Sequence, residues 1–400
     1  MDKLRKARFY LKLFAATVRD FLEIIIPGAI LPPSIASKKK KILIFNWRDI
    51  KHRYAGGAEV YIHQLAKRWV KDGNRVTVFC GNDGKSKRYE RIDGVEIVRR
   101  GGFFLVYLWA FLYYTFRFRK TYDVVIDCEN GIPFFSPLYV RKRVFCLVFH
   151  VHQEVFRKSL LPPFAYIASL LEKRLMPLVY RNVTFMTISK SSQKDMKKHG
   201  FTQKNIHIVT PGVDFQIYRM GKKSSLPLVL YLGRLKQYKS VDIFIHAAKK
   251  VLKNIPAAKF VIAGDGEERQ KLKRQIWELG LTGKIKMLGK VSEKEKIKLY
   301  QQGWVLVNPS LFEGFGMTTI EANACGLPVV ASDVSGLCDS VVDKQTGFLV
   351  KYGDVEAFSL RITRLLKDKT LREDFSFKAR AWAESFSWDK SAEQVLHILK

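Results

Sequence analysis

The sequence predicts an α/β protein with two open, doubly wound, Rossmann-like sheets. First, short apolar runs typical of parallel strands buried on both faces alternate with helical patterns from Lys41 onward. Second, the alternation restarts after TPGVD (210–214), which divides the chain into two α/β halves. Third, 400 residues with 47% hydrophobic content are enough for two cores of ordinary size.

The first half contains five strand-like apolar runs. They are KILIFN (41–46), RVTVFC (75–80), DVVID (123–127), VFCLVF (144–149) and VTFMTIS (183–189). A helix is predicted after AGGAE (55–59), because Tyr61, Leu65 and Trp69 recur at a spacing of four residues. We predict one domain over residues 41–213 from this pattern.

The second half contains six such runs, most of them separated by helical stretches. They are LPLVLYLG (226–233), KFVIAG (259–264), KIKMLG (284–289), WVLVNPS (304–310), PVVAS (328–332) and GFLV (347–350). We predict a second domain over 214–385 and a C-terminal helix over 386–400 that packs back on the first domain. Ligands of open α/β sheets bind at the carboxyl ends of the strands, so a site is expected in a cleft between two facing sheets.

The chain is strongly basic, and the charge is uneven along it. The formal net charge is +33, with 39 basic against 16 acidic residues up to Val213 and 31 against 21 after it. Such a field favours anionic membrane surfaces, phosphorylated ligands or nucleic acid as partners. No RRM, KH or zinc-finger pattern is present, so no nucleic-acid partner is expected.

Two segments have features of a membrane surface. Residues 1–40 are predicted as a basic amphipathic extension and linker, which lies either on an anionic membrane or on its own protein. The aromatic segment 101–120, flanked by arginines, is predicted as a helix of the first sheet layer, with a lipid-facing patch as the alternative. Neither segment has the ~20 consecutive apolar residues of a spanning helix.

The five cysteines form no metal-binding or disulfide pattern. Their number is odd and no CxxC spacing occurs, so a reducing compartment, the cytoplasm, is expected. A peripheral position on the cytoplasmic face of a membrane fits this expectation together with the basic charge. No cofactor is predicted.

The segment LFEGFGMTTIEANACGLPVVAS (311–332) carries the most specific chemistry. Glu313 stands in a glycine turn, where a carboxylate can accept hydrogen bonds from sugar hydroxyls. Gly314 and Gly316 precede a helix whose first amides can meet an anion. Glu321, about two turns along that helix, can accept both hydroxyls of a ribose. A sugar, an anionic group and a ribose in this order are the parts of a nucleotide sugar, so the segment predicts a site for such a ligand.

Two other loops at strand ends supply cations and glycines. YLGRLKQYKS (231–240) offers Gly233 for close approach, with Arg234 and Lys239 for phosphate oxygens. IAGDGEER (262–269) turns through Gly264 before a helix.

These motifs resemble those of glycosyltransferase family 4, retaining enzymes of the GT-B type such as glycogen synthase and phosphatidylinositol mannosyltransferase. The resemblance covers Lys41 to the end and is strongest over 226–350. It rests on the two glutamates eight positions apart, on LGRL followed by a lysine, and on AGDG, MLG and TGFLV in the family's order. AGGAE (55–59) is similar to the family's N-terminal glycine loop, and LVFH (147–150) to its strand that ends in a histidine.

The resemblance implies a role for each matching residue. Glu313 would contact the transferred sugar, and Glu321 would hold the ribose. Arg234 and Lys239 would neutralise the leaving diphosphate, and His150 would lie beside the anomeric centre. The other donor-binding positions it implies are Gly56, Gly57, Gly233, Gly264, Leu288, Phe315, Gly316, Met317 and Thr318.

Several points stay open at the level of the sequence. His152 is an alternative to His150, and Asp127 or Glu129 is an alternative base for the acceptor unless it caps the next element. Ser240 stands where the family often has glycine, so the backbone there is in question. The implied reaction moves a hexose from GDP-mannose or a UDP-sugar to a lipid-linked or membrane glycan acceptor, with retention.

Three other functions compete with this reading of the motifs. A soluble acceptor is the alternative to a lipid-linked one, and a phosphorylase or an inverting enzyme is an alternative on the same scaffold. A basic nucleic-acid-binding protein is the third. No Asp-x-Asp motif appears, so we expect fixed cations and a helix N-terminus, and no metal ion, to stabilise the leaving group.

Overall fold

The computed structural model of the chain describes residues 39–102, 105–153, 156, 162–201 and 206–400. The chain divides into two compact units. The described residues up to Ile188, together with Gln193–Val209 and Ser391–Lys400, form the first unit. Ser189–Ser192 and Thr210–Lys390 form the second. The predicted extension 1–40 lies outside the described residues except for Lys39 and Lys40.

The first unit contains an eight-stranded sheet with the order β3-β4-β2-β1-β5-β6-β7-β8. Neighbouring strands are parallel except at the edge, where β3 pairs antiparallel with β4. The strand bounds are β1 Lys41–Phe45, β2 Arg75–Cys80, β3 Tyr89–Ile92, β4 Val95–Arg99, β5 Val124–Glu129, β6 Arg143–Val148, β7 Thr184–Thr187 and β8 Ile206–Ile208.

The hairpin of β3 and β4 was not predicted from the sequence. Its turn is Asp93-Gly94, and both residues have positive φ angles, +47° and +81°. An Asp-Gly pair is a common two-residue hairpin turn because both positions tolerate that conformation. The signal was therefore present in the sequence, but β3 is short and partly exposed.

The second unit contains a six-stranded parallel sheet with the order β11-β10-β9-β12-β13-β14. All six predicted strands of this half are present, and the predicted α/β fold class is confirmed. The facing of two sheets across a cleft stays a prediction. The strand bounds are β9 Leu228–Leu232, β10 Lys259–Ala263, β11 Ile285–Gly289, β12 Val305–Asn308, β13 Val329–Ser332 and β14 Gly347–Val350.

Helices connect the strands of both sheets. The α-helices are α1 Gly57–Lys71, α2 Val106–Tyr113, α3 Pro162–Leu170, α4 Met176–Val179, α5 Lys190–Lys198, α6 Val241–Asn254, α7 Arg269–Glu278, α8 Glu293–Gln302, α9 Met317–Ala324, α10 Leu337–Ser340, α11 Val355–Lys367, α12 Lys369–Ala383 and α13 Trp388–Ile398. Short π-helical segments, Tyr114–Phe118 and Leu171–Leu175, continue α2 and α3.

The aromatic segment 101–120 contributes mainly to the core of the first unit. Trp109, Tyr113 and Phe118 are buried and pack with Phe45 and Phe79 of the sheet. The prediction of a helix in the sheet layer is therefore confirmed. Among the described residues, no helix is long and apolar enough to cross a membrane.

Helix α13 ends within the first unit. The indole Nε1 of Trp69 on α1 donates a hydrogen bond of 2.9 Å to the carbonyl oxygen of Ala392. Lys40 Nζ donates to the carbonyl oxygen of Leu399 at 2.7 Å. The last ten residues thus belong to the first unit, where they contact helix α1 and the residue before strand β1.

Candidate functional site

The loops after β9, β10 and β12 meet at the carboxyl edge of the second sheet. Strand β9 pairs in parallel with β10 on one side and β12 on the other, so their exits are neighbours. A Cβ atom added to Gly264 would lie 1.8 Å from the carbonyl oxygen of Gly233. One added to Gly266 would lie 2.3 Å from that of Leu235. Only glycine therefore fits at Gly264 and Gly266 in this arrangement.

Glu313 and Lys239 form an ion pair at this edge. The Lys239 ammonium contacts Oε1 of Glu313, and the Ser310 hydroxyl donates to the same oxygen at 3.2 Å. The two side chains are only 17% and 11% exposed, so solvent screens the pair less than it screens a surface pair. The structure thus brings together two predicted site residues that are 74 positions apart in the chain.

Arg234 is held by aromatic neighbours. Its Nη2 donates to the Tyr238 hydroxyl at 2.9 Å, and its carbonyl oxygen accepts from the Tyr231 hydroxyl at 3.0 Å. The Tyr238 ring stacks on Phe312 with centroids 4.6 Å apart. Within the described residues no carboxylate pairs with Arg234, so its charge is available to an incoming anion.

Helix α9 begins immediately after a residue with left-handed backbone. Gly316 has a φ of +78°, and a Cβ there would lie 2.7 Å from the Leu337 side chain. Phe315 is buried and packs against Phe386. The amides of Met317 and Thr318 belong to the first helical turn, where N–H groups have no intrahelical acceptor. With the helix dipole, they provide a place for a negatively charged group.

Glu321 lies farther along α9 and is held by two residues of α8. Lys296 Nζ contacts its two carboxylate oxygens at 3.1 and 3.2 Å, and the Tyr300 hydroxyl donates to Oε2 at 3.1 Å. Neither Lys296 nor Tyr300 was predicted as a site residue from the sequence. Their spacing of four residues places them on one helical face, but the partner of that face is visible only in the fold.

Leu288 occupies an irregularity at the end of β11. Ile262 pairs with Met287, but the next residue of β10, Ala263, pairs with Gly289, so Leu288 is the extra residue of a bulge. A bulge turns the strand locally and redirects a side chain. The Gly264 amide donates to the Gly289 carbonyl at 2.8 Å, which ties this bulge to the glycine loop after β10.

In the first unit, Gly56 and Gly57 form the start of α1. The buried Glu59 carboxylate accepts from the Gly56 amide at 2.6 Å. It also accepts from Arg48 Nε and Asn130 Nδ2, each at 3.0 Å. Glu59 was not selected from the sequence, although a Glu three residues after a helix cap is a known capping signal. It fixes the glycine loop, and Gly57 stays exposed.

His150 and His152 follow β6, and their rings are 4.0 Å apart. His152 is buried, with Nδ1 3.1 Å from Oε1 of Glu129 and 3.6 Å from Oε1 of Glu172. Its backbone amide donates to Glu172 at 2.6 Å. His150 is more exposed than His152. The structure therefore places His152 in an ion cluster and leaves His150 closer to solvent.

Within the ion cluster of His152, Glu129 and Glu172, the pKa values of His152 and Glu129 are shifted. Burial opposes the charged form of His152, but Glu129 and Glu172 outweigh this effect and raise the pKa of His152 to about 10. Burial raises the pKa of Glu129 to about 7. The ligand atoms of the three residues lie within 4.8 Å of one another, which is compatible with a metal ion as well. Attraction between a protonated imidazole and a carboxylate also favours this close arrangement.

Asp127 is fully buried and supports the turn after β5. It accepts hydrogen bonds from the amides of Phe134 and Ser136 at 3.2 and 3.1 Å, from the Ser136 hydroxyl at 2.6 Å and from the Tyr180 hydroxyl. These contacts match the capping alternative for Asp127. Glu129 is likewise buried, beside His152.

Ser240 adopts the backbone that glycine favours. It has φ +49° and ψ +45°, and it precedes α6 directly. Its hydroxyl lies 3.0 Å from that of Tyr352. The left-handed conformation is thus present here without glycine.

Two family models match adjacent parts of the chain. The model described as "Glycosyltransferase Family 4" matches residues 55–217, and the one described as "Glycosyl transferases group 1" matches residues 214–382. Together they extend from the glycine loop before α1 to the end of α12. The predicted Glu313 and Glu321 lie within the second match.

Two relatives illustrate the range of similarity. An uncharacterized glycosyltransferase of Methanocaldococcus jannaschii is 27% identical over 392 residues, which covers 90% of this chain and 98% of the relative. A D-inositol 3-phosphate glycosyltransferase of Nocardia farcinica is 30% identical over 215 residues, or 50% of this chain and 48% of that protein. The aligned region thus spans about half the length of the second relative.

Solved structures show the same fold. Sucrose-phosphate synthase of Thermosynechococcus elongatus has a TM-score of 0.78 at 19% identity, covering 90% of this chain and 98% of that one. Anabaena HepE in complex with UDP and glucose has a TM-score of 0.72 at 20% identity, covering 90% and 99%.

The left-handed backbone at Ser240 leads to a stability prediction. Ser240→Gly and Ser240→Ala both lose the hydroxyl, but only alanine keeps a Cβ that crowds this conformation. We expect Ser240→Gly to be more stable than Ser240→Ala by about 1 kcal/mol in urea unfolding. At Ser376, inside helix α12, the same pair should show the opposite order, because glycine weakens a helix. An alanine variant at 240 as stable as the glycine variant would contradict this account.

The raised pKa of His152 gives a pH prediction. A pKa above the usual 6.5 stabilises the folded protein while the imidazole is protonated, and this stabilisation is lost as the pH rises through about 10. The difference in unfolding free energy between the unmodified protein and His152→Asn should therefore shrink from neutral pH toward about 10. Leu360→Asn, at an exposed position without a titratable group, is the control and should show a constant difference. If the difference in unfolding free energy for His152→Asn is also independent of pH, the ion cluster does not stabilise the protein through a protonated His152.

Proposed function

The chain belongs to the family 4 glycosyltransferases of the GT-B type, and we propose that it transfers a hexose from a nucleoside-diphosphate sugar, with retention, to a lipid-linked acceptor. The observation that carries the proposal is the arrangement around helix α9. Glu313 precedes the helix, its first amides are available to an anion, and Glu321 follows on the same helix. These groups match a hexose, a diphosphate and a ribose in that order.

Each carboxylate is prepared for a hydroxyl-bearing ligand. Hydrogen bonds to charged groups contribute about 1.5–3 kcal/mol each, which is more than neutral ones do. Glu321 is held by Lys296 and Tyr300, so its oxygens keep their orientation when the donor is absent. Glu313 is held by Lys239 in the same way. In the proposal Glu321 binds the ribose and Glu313 binds the transferred sugar.

Arg234, Lys239 and the start of α9 stabilise the leaving diphosphate in this proposal. Charge develops on the bridging oxygen as its bond to the anomeric carbon breaks, and fixed cations and amides reduce that cost. The acceptor oxygen attacks from the same face, forms the new bond to the anomeric carbon and gives its proton to the leaving phosphate. Configuration is thereby retained. His150 is the proposed neighbour of the anomeric centre.

The structural neighbours support the donor class. The Anabaena HepE structures hold UDP, UDP with glucose, and UDP-glucose. Residues of the present chain that flank the base in this proposal include Leu288 in its bulge. GDP-mannose and UDP-hexoses are the candidate donors.

The proposal of a lipid-linked acceptor rests on the net charge of the chain and on its expected cellular compartment. A net charge of +33 favours an anionic membrane surface, where a lipid-linked acceptor is available. All five cysteines lie in the described part of the chain and are free thiols, which fits the reducing cytoplasmic side. We therefore place the reaction at the cytoplasmic face of a membrane.

Calorimetric titration with UDP, GDP and their common hexose conjugates tests the donor site. We expect one donor class to bind, and Glu321→Gln to weaken that binding roughly ten- to hundredfold, because a hydrogen bond to a charged group is lost. Glu313→Gln should lower transfer while the nucleoside diphosphate still binds. Glu356→Gln, which removes an exposed carboxylate paired with Lys250, should change neither value.

The outcome of transfer completes this test. An NMR time course should show the product with the anomeric configuration of the donor. Absence of binding by every nucleotide and conjugate would reject the donor proposal. Binding with an inverted product would reject only the stereochemical part.

A further inference from the structure

One helical stretch of the first unit, residues 162–179, has an uncovered apolar face. It consists of α3, the π-helical segment Leu171–Leu175 and α4. Buried residues recur every three or four positions, at Ala165, Ala168, Glu172 and Met176. This face packs on the unit, as expected for an amphipathic helix.

Between and beside these positions the stretch exposes large apolar side chains. Their exposed fractions lie between 37% and 70%. They are Phe164, Tyr166, Ile167, Leu170, Leu175 and Leu178. Single exposed apolar residues are ordinary, but six along one helical stretch form a surface of the kind that contacts a partner or a membrane.

The charged groups of the stretch distinguish these partners. Lys173, Arg174 and the following Arg181 are exposed. The only carboxylate between 162 and 181 is Glu172, which is turned inward and accepts from the His152 amide. The exposed large side chains of residues 162–181 are therefore apolar or cationic, and none of them is acidic.

We propose that this face docks on an anionic lipid bilayer, with the apolar side chains in the interface and the cations against the headgroups. An apolar face bordered by Lys and Arg is the pattern of helices that lie in the membrane plane. Tyr166 fits the same position, since tyrosine favours the boundary between headgroups and acyl chains. The inference rests on the proposed lipid-linked acceptor and names the surface that would bring the enzyme to it.

Vesicle flotation tests the surface with the full chain. The vesicles are phosphatidylcholine alone or phosphatidylcholine mixed with phosphatidylglycerol. We expect binding to the mixed vesicles that weakens with added salt, since charge attraction to the lipid is screened. Ile167→Gln combined with Leu178→Gln should lower the partition coefficient by about tenfold or more, because two apolar side chains lose their burial.

A matched control uses two exposed apolar residues of the second unit. Trp277 and Phe377 are 73% and 75% exposed, and Trp277→Gln combined with Phe377→Gln should leave flotation unchanged. Both double variants should keep the unfolding midpoint and the affinity for the nucleoside diphosphate. Equal flotation by both double variants, or no binding to mixed vesicles at low salt, would overturn the proposal.

A fluorescence measurement separates the membrane from other occupants of the face. The difference in emission between Ile167→Trp and the unmodified protein, which has seven tryptophans of its own, isolates the added side chain. This difference emission should shift to shorter wavelength only when mixed vesicles are added. If it already lies at short wavelength before vesicles are added, another part of the chain or a second copy covers the face, which would overturn the proposal. If the unmodified protein binds vesicles but no nucleotide, the proposed donor site is rejected and the proposed membrane-docking face is still supported.

Discussion

The close approach of three loops at the carboxyl edge of the second sheet determines what the rest of the site can do. The Gly264 backbone lies against the Gly233 carbonyl, with no room for a side chain between them. This contact is possible because β9 and β10 are parallel neighbours and end at the same level. On the other side of β9, its pairing with β12 and the Lys239–Glu313 ion pair hold the loop that carries Arg234 and Lys239 beside the loop that carries Glu313.

Ion pairs then fix the functional side chains before any ligand arrives. Lys239 holds Glu313, and Lys296 holds Glu321. A diphosphate that approaches Lys239 would compete with Glu313 for the same ammonium group, so donor binding and reorientation of Glu313 are physically coupled. Arg234 carries no such pairing among the described residues. It can therefore meet a phosphate without first losing a carboxylate.

Much of this arrangement follows from local sequence. Glycine before a helix, a carboxylate in the preceding turn and a second carboxylate about one turn into the helix are visible in residues 313–321 because they lie close together in the sequence. The six apolar runs of the second half predicted its strands for the same reason. Lys296 and Tyr300 were not predicted as site residues, because they meet Glu321 through packing between separate elements. Glu59 was missed although its contact with Gly56 is local, and only its contacts with Arg48 and Asn130 depend on the fold. Ser240 shows another limit: it adopts a left-handed backbone that a serine in the sequence does not indicate.

Hydrogen exchange measured by mass spectrometry, with and without a saturating nucleoside diphosphate, tests the central claim most directly. A bound diphosphate should slow the exchange of the amides at the start of α9 and in the loop after β9. Exchange in α7, whose exposed face is not part of the site, should not change. Unchanged exchange at the start of α9, with the nucleotide bound, would contradict the assignment of the diphosphate to this helix.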